Sequence, residues 1–273
     1  MSYVFLFLLT VAIIGFISLK PYWRELQRNK IKQRPFKKAW RKTLQRRMPY
    51  FQSMPTDLQL QLKDLVQVFI EEKQFIGLNG VTINDEIKLT IAAQACLLLL
   101  NRKTDMYPNL HSILVYPAGF VKDQISVQAG GVHHAHKTTL IGESWEFGKV
   151  VLSWQDTVEG AQYPDDGRNV VIHEFAHQLD QENGRANGAP ILGRGQNYQD
   201  WSLALSRQFD VLQKQAREGQ ASLFDHYGAT NPAEFFAVAS EVFFEQSTQF
   251  SNYYPELYNQ FKLFYRVDPT HWH

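Results

Sequence analysis

The chain opens on an uninterrupted apolar run. Residues 3–19, YVFLFLLTVAIIGFISL, are 17 positions without a charge, and no polar stripe gives them an amphipathic face. Such a run predicts a helix at the short end of what crosses a bilayer core. A secretory signal peptide would carry a basic segment before the run and a small-x-small cleavage site after it. Only Met1 and Ser2 precede it and no Ala-x-Ala follows, so an uncleaved anchor is expected. After residue 50 the apolar positions fall at helical spacing. Leu58, Leu62, Leu65, Val66, Phe69 and Ile70 predict a helix over residues 57–72, capped by Thr56 or Asp57. Residues 87–101 predict a second, very apolar helix. The period then shortens. Residues 112–116, 138–141 and 150–154 are β-branched or aromatic runs, with Gly130-Gly131 between the first two and Gly148 before the third. Helical spacing returns over residues 169–181, 198–218 and 232–246. Helices, a few strands and helices again predict an α+β domain, mostly helical, with a small sheet.

Charge divides the chain more sharply than its net value of +1 implies. Residues 20–47 hold 12 Lys or Arg and one acid, Glu25. Of the chain's 28 bases and 27 acids, that leaves 16 bases and 26 acids for residues 48–273, a body of about −10. The positive-inside rule places the flank, and everything after it, on the cytoplasmic side. The flank is also expected to lie against anionic lipid headgroups, with Tyr22 and Trp23 at the interface. The acidic body argues against nucleic acid as a ligand. Three segments follow: an anchor at 3–19, a basic juxtamembrane segment at 20–49 and a single domain at 50–273, expected on the cytoplasmic side of a membrane. With 44% apolar residues and 20% charged ones the chain is not disordered. Cys96 is its one cysteine and sits in an apolar run. That excludes an intramolecular disulfide scaffold and any zinc site built on paired cysteines.

The chemistry concentrates in NVVIHEFAHQLD. His173 and His177 are four apart, so on a helix their imidazoles stand one turn apart on one face and can reach one ion. Glu174 lies beside that face, where it can deprotonate a water. A zinc hydrolase site keeps three protein ligands and one open position. The metzincin pattern would need Gly at position 180 and His at position 183; Asp180 and Asn183 stand there instead. The third ligand is therefore sought among downstream carboxylates on a helix. NPAEFFAVASEVFF offers Glu234 and Glu241, seven apart on one face, with Asn231 as cap and Pro232 as first helical residue. A carboxylate among so many aromatics costs several kcal/mol unless paired or metal-bound, which favours a ligand or supporting role over solvent exposure for Glu234, with Glu241 also a candidate. Asp180 falls on the face of the two histidines and is expected to orient one of them.

Several separated segments, in one order, resemble the Mlc titration factor A family of bacterial zinc peptidases. They are VYPAGFV from Val115, GESW from Gly142, VLSWQD from Val151, HEFAHQLD from His173, YGATNPAEFFA from Tyr227 and AEFFAVASEVFF from Ala233. The chain also resembles, more distantly, the catalytic domain of anthrax lethal factor, another gluzincin. The resemblance implies a zincin-like fold in which His173, His177 and Glu234 ligate one zinc ion. It implies Glu174 as general base and later proton donor, and Tyr227 as hydrogen-bond donor to the developing oxyanion. Glu241 remains a supporting carboxylate. In such sites an edge strand takes up extended substrate, and Val150 to Ser153, with Val151 and Leu152 between them, are the expected segment. The resemblance further implies a repressor of the Mlc type as partner. It begins only near residue 50, and the family's soluble members have no anchor. Two functions follow: a membrane-tethered zinc peptidase acting on peptide or protein substrates, or a zinc-containing protein that sequesters a transcriptional regulator at the membrane. His133, His134 and His136 form a further cluster in Gly-preceded sequence, expected as an exposed loop near the cleft rather than a second metal site. His271 and His273 carry no expected role.

Overall fold

The computed structural model describes residues 2–102, 105–118, 120–127, 133–140, 142–145 and 148–272, with side chains at 2, 11–14, 17, 18, 120–127, 133–140 and 142–145 outside the description. The chain begins with one helix, α1 (Ser2–Lys32), which runs through the apolar segment and into the basic flank. Among the described residues no helix is long and apolar enough to cross a membrane, and six side chains of the expected span lie outside the described ones. The described ones, Tyr3 to Leu9, Phe16 and Leu19 among them, are solvent-facing rather than packed on the body.

The flank does not stand apart. It continues in α1 and in α2 (Lys38–Arg47), and Ile31, Leu44 and Met48 join the core. Its charge is answered by the body's own acids. Arg28 grips Glu72 through Nε and Nη2 at 2.6 and 2.8 Å, and Asp105 at 2.6 Å; Arg24 reaches the same two carboxylates. Arg46 and Arg47 hold Glu86 at 3.0 and 2.6 Å, and Trp40 donates to Asp85. Burial alone would raise the Glu72 carboxyl, but hydrogen bonds from Arg28 and Arg24 hold it below its ordinary value. Asp105 is also lowered: burial is outweighed by the Met106 amide and Arg28. Carboxyls lowered in the folded state stabilise it above their unfolded pKa and lose that contribution as pH falls. Arg28→Ala should therefore cost about 1–2 kcal/mol at neutral pH, Arg24 retaining part of the network. Thermal melts of the two full-length proteins should differ most at pH 7 and converge below about pH 4.

The body is a helical layer against one sheet. α3 (Thr56–Glu72) follows Pro55, so neither predicted side chain caps it. It leads into a strand absent from the sequence reading, β1 (Gln74–Gly77). α4 (Asp85–Leu97) starts two residues early because Asn84 caps it, and stops four early. β2 (Ser112–Tyr116) pairs in parallel with β1 on one side and with β6 (Lys149–Ser153) on the other. β5 (Gly142–Trp145) runs antiparallel to β6 and completes the order β1-β2-β6-β5. This overturns the expectation that residues 150–153 receive substrate. Both edges of β6 are already hydrogen-bonded, and Val150, Val151, Leu152 and Ser153 are at most 1% exposed. A near-continuous apolar run is the signature of an inner strand covered on both faces, and the end strand on this side is β5. β3 (Phe120–Val127) and β4 (His133–Leu140) form a separate antiparallel hairpin. His133, His134 and His136 thus lie on a paired strand, not in a loop.

After β6 the chain turns directly into α5 (Trp154–Gln162), capped by Ser153. It continues through α6 (Val170–Asp180), α7 (Tyr198–Glu218), α8 (Pro232–Glu245), α9 (Ser247–Tyr253) and α10 (Pro255–Tyr265). Asn231 caps α8 as expected, accepting from the amides of Ala233 and Glu234, with Pro232 first in the helix. Phe235, Phe236, Phe243 and Phe244 are fully buried, Phe236 beside Trp201 and Phe261 and Phe243 and Phe244 beside Tyr265. At about 1.5–3 kcal/mol per buried ring, these four anchor α8 firmly enough to draw its carboxylates out of water.

Candidate metal centre

Asn169 starts α6 by accepting the Ile172 amide at 3.1 Å. Val171, Ile172, Phe175, Ala176 and Leu179 face the core, Phe175 lying 4.8 Å from the Tyr107 ring and 5.6 Å from Phe69. With that face buried, His173 and His177 must point the other way, toward α8. There His173 Nε2 lies 3.0 Å from Glu234 Oε2, and His177 Nε2 lies 3.2 Å from the same oxygen and 3.2 Å from His173 Nε2. The three residues form a group whose ligand atoms all lie within 4.8 Å of one another.

The donor set fits a divalent cation. His173 Nδ1 faces Glu241 Oε1 at 2.8 Å. A carboxylate can only accept, so the proton of a neutral ring sits on Nδ1 and the lone pair on Nε2. That lone pair, its counterpart on His177 and an anionic oxygen then converge on one point, an arrangement that repels itself unless a cation occupies it. Ligands at about 2.0–2.1 Å in tetrahedral array stand about 3.3 Å apart, close to the separations found. Burial opposes charge on His173, but Glu241 and Glu234 overcome it and raise its pKa well above the ordinary value. Glu234 moves oppositely. Burial would raise it, but hydrogen bonds to His173 and His177 lower it to about 2.

Glu241 is placed behind His173, not beside the Nε2 atoms. Its second oxygen accepts the Asn169 backbone amide, and the Asn169 side chain donates to buried Glu245 at 2.8 Å. This relay was missed in the sequence except for Glu241 itself; the only sign of Glu245 was an acid one further turn along the same helix face. Asp180 is fully buried at the end of α6, where it accepts the amides of Asn187 and Gly188 at 2.8 and 2.7 Å. It fastens the loop after α6, and its charge acts on His177 as well. Gly188, at φ +78°, lies so close to the first turn of α8 that an added Cβ would sit 2.6 Å from the Pro232 carbonyl oxygen.

Two further groups border the three ligand atoms. Glu174 is 4% exposed, and its charge acts on both His173 and Tyr227. Tyr227 sits on a short 3-10 turn (His226–Ala229), its ring centroid 6.0 Å from that of His173. Burial and the charges of Glu234 and Glu174 push its hydroxyl pKa up to about 12. Tyr227 therefore keeps its proton throughout the neutral range and can donate it in a hydrogen bond.

The family model described as glucose-regulated metallo-peptidase M90 matches residues 23–266. An uncharacterized protein of Synechocystis is 37% identical over 260 residues, 95% of this chain and 94% of its own. Proteins named Mlc titration factor A from Salmonella typhi and Escherichia fergusonii are each 33% identical, over 82% and 81% of this chain and 84% of theirs.

Proposed function

The chain belongs to the Mlc titration factor A family, the glucose-regulated metallo-peptidases M90, and from that premise we propose that it is a zinc-dependent peptidase held at a membrane by α1. The observation that carries this reading is the convergence of His173, His177 and Glu234 beside Glu174 and Tyr227. Two imidazoles and one carboxylate suit zinc, with an open fourth position.

Zinc bound there would supply Lewis acidity to a water and to the scissile carbonyl. Glu174, one residue after a ligand and sheltered from solvent, takes the proton of the attacking water and passes it to the leaving amine. The Tyr227 hydroxyl donates to the oxyanion as charge develops. Glu241 keeps His173 in the tautomer that presents Nε2. Substrate would add to the sheet at β5, whose outer edge is unpaired among the described residues and which packs beside α6.

The bare apolar side chains of α1 and the basic flank support anchoring at a bacterial inner membrane with the domain in the cytoplasm. Anionic headgroups are the expected contact of exposed Lys20 and Lys30. The relatives' name, Mlc titration factor A, favours a second reading in which the chain captures a repressor of that type. The deciding experiment measures metal content by mass spectrometry and peptide hydrolysis on one preparation of the full chain. The peptidase reading expects about one zinc per chain, with hydrolysis abolished by chelation and restored by zinc. Carefully prepared protein without zinc would leave only the capture function.

A further inference from the structure

We propose that the ion pair between Arg168 and Asp225 is a positioning device for Tyr227, setting its hydroxyl over the metal centre; this rests on reading Tyr227 as the oxyanion donor. Tyr227 is 54% exposed on a turn of four residues, so burial of its own ring does not hold it in place. Its backbone is held instead. Asp225 Oδ1 accepts the Tyr227 amide at 2.9 Å, the Asp225 carbonyl accepts the Gly228 amide at 3.0 Å, and Thr230 Oγ1 donates to the Tyr227 carbonyl at 2.6 Å. The floor of the turn is closed, because a Cβ on Gly228 would lie 3.3 Å from both Leu212 and Val238. What remains is rotation of the turn about that floor.

The other Asp225 oxygen prevents that rotation by accepting Arg168 Nη2 at 2.8 Å. Arg168 is well placed as the fixed end. It immediately precedes Asn169, whose backbone amide holds Glu241 and, through it, His173 Nδ1. Residues 168 and 169 thus reach the tyrosine through the Asp225 carboxylate and the ligand histidine through that of Glu241. The Arg168 side chain is 75% exposed and that of Asp225 34% exposed. A pair so exposed contributes little to global stability, so its loss should show in the local placement of the turn rather than in folding.

The test compares full-length wild type, Arg168→Ala, Asp225→Asn and Arg168→Lys, each with and without Tyr227→Phe. Asp225→Asn keeps an acceptor for the Tyr227 amide and removes only the charge. Zinc content should be unchanged in all. Arg168→Ala and Asp225→Asn should lower kcat by roughly tenfold with KM little altered, and Arg168→Lys should recover part of the loss. In the Tyr227→Phe background the Arg168→Ala penalty should vanish. Amide exchange over residues 226–230 should speed up several-fold in Arg168→Ala whether or not the enzyme turns over. Unchanged kcat and unchanged exchange would overturn the proposal, as would a kcat loss that persists in full beside Tyr227→Phe. A wild type that binds zinc yet cleaves no peptide would defeat the peptidase reading alone, since amide exchange still decides whether the pair holds the turn.

Discussion

Replacing Glu174 by Gln should leave zinc bound and lower kcat/KM for peptide hydrolysis by roughly 10²–10⁴-fold. The substitution keeps size and shape, and Glu174 is not among the three residues whose ligand atoms converge. It removes the one property the proposed step needs, a carboxylate able to take a proton and return it. The expected loss corresponds to about 3–5.5 kcal/mol of transition-state stabilisation. Hydrolysis of a fluorogenic peptide and zinc content measured on the same sample check it. The result also separates the two functional readings. Capture of a repressor needs surface and shape, so binding by the Glu174→Gln protein should match wild type. Retained hydrolysis in a variant carrying full zinc would remove Glu174 from the mechanism.

Replacing Glu234 by Ala should have the second large effect, loss of the metal. Glu234 supplies the only oxygen among the three converging atoms, and both imidazoles lie against it. Two imidazoles remain in the variant, one short of the three protein ligands a catalytic zinc keeps. Zinc affinity should fall by more than the roughly 10–100-fold expected for losing an outer hydrogen-bond partner. Glu241→Ala provides that comparison, because Glu241 bonds His173 from behind at Nδ1. Competition with a chelator of known affinity measures both variants. If Glu241→Ala loses more zinc than Glu234→Ala, the assignment of ligand and supporting carboxylate is reversed. Hydrolysis should track zinc occupancy in each.

Much of this protein was legible in the sequence because its signals are local. α7 occupies the predicted residues 198–218, and α6 and α8 each end one residue early. An apolar stripe at 3.6-residue spacing and an Asn cap act within one or two turns. His173 and His177 share a face for the same reason: four residues on a helix make one turn. The expected placement of Glu234 near them combined its apolar setting with the resemblance to known zinc peptidases.

Tertiary structure decided the rest, wherever a side chain's partner lay far along the chain. Glu241 and Glu234 lie on the same helix face seven residues apart, and only the packing of α8 across α6 gave one the Nε2 atoms and the other Nδ1. Asp180 shares the histidines' helix, and its carboxylate also accepts two amides of the following loop, a contact no local spacing shows. The apolar run of β6 shows that both its faces are covered, but which strands flank its two edges is set by the sheet, so residues expected at an edge are internal. The basic flank carried a clear charge signal, but Arg24, Arg28 and Arg47 found carboxylates on the protein itself. Periodicity and caps depend on neighbours a few residues away and are written in the sequence. Which distant charge or edge meets which depends on the path of the whole chain.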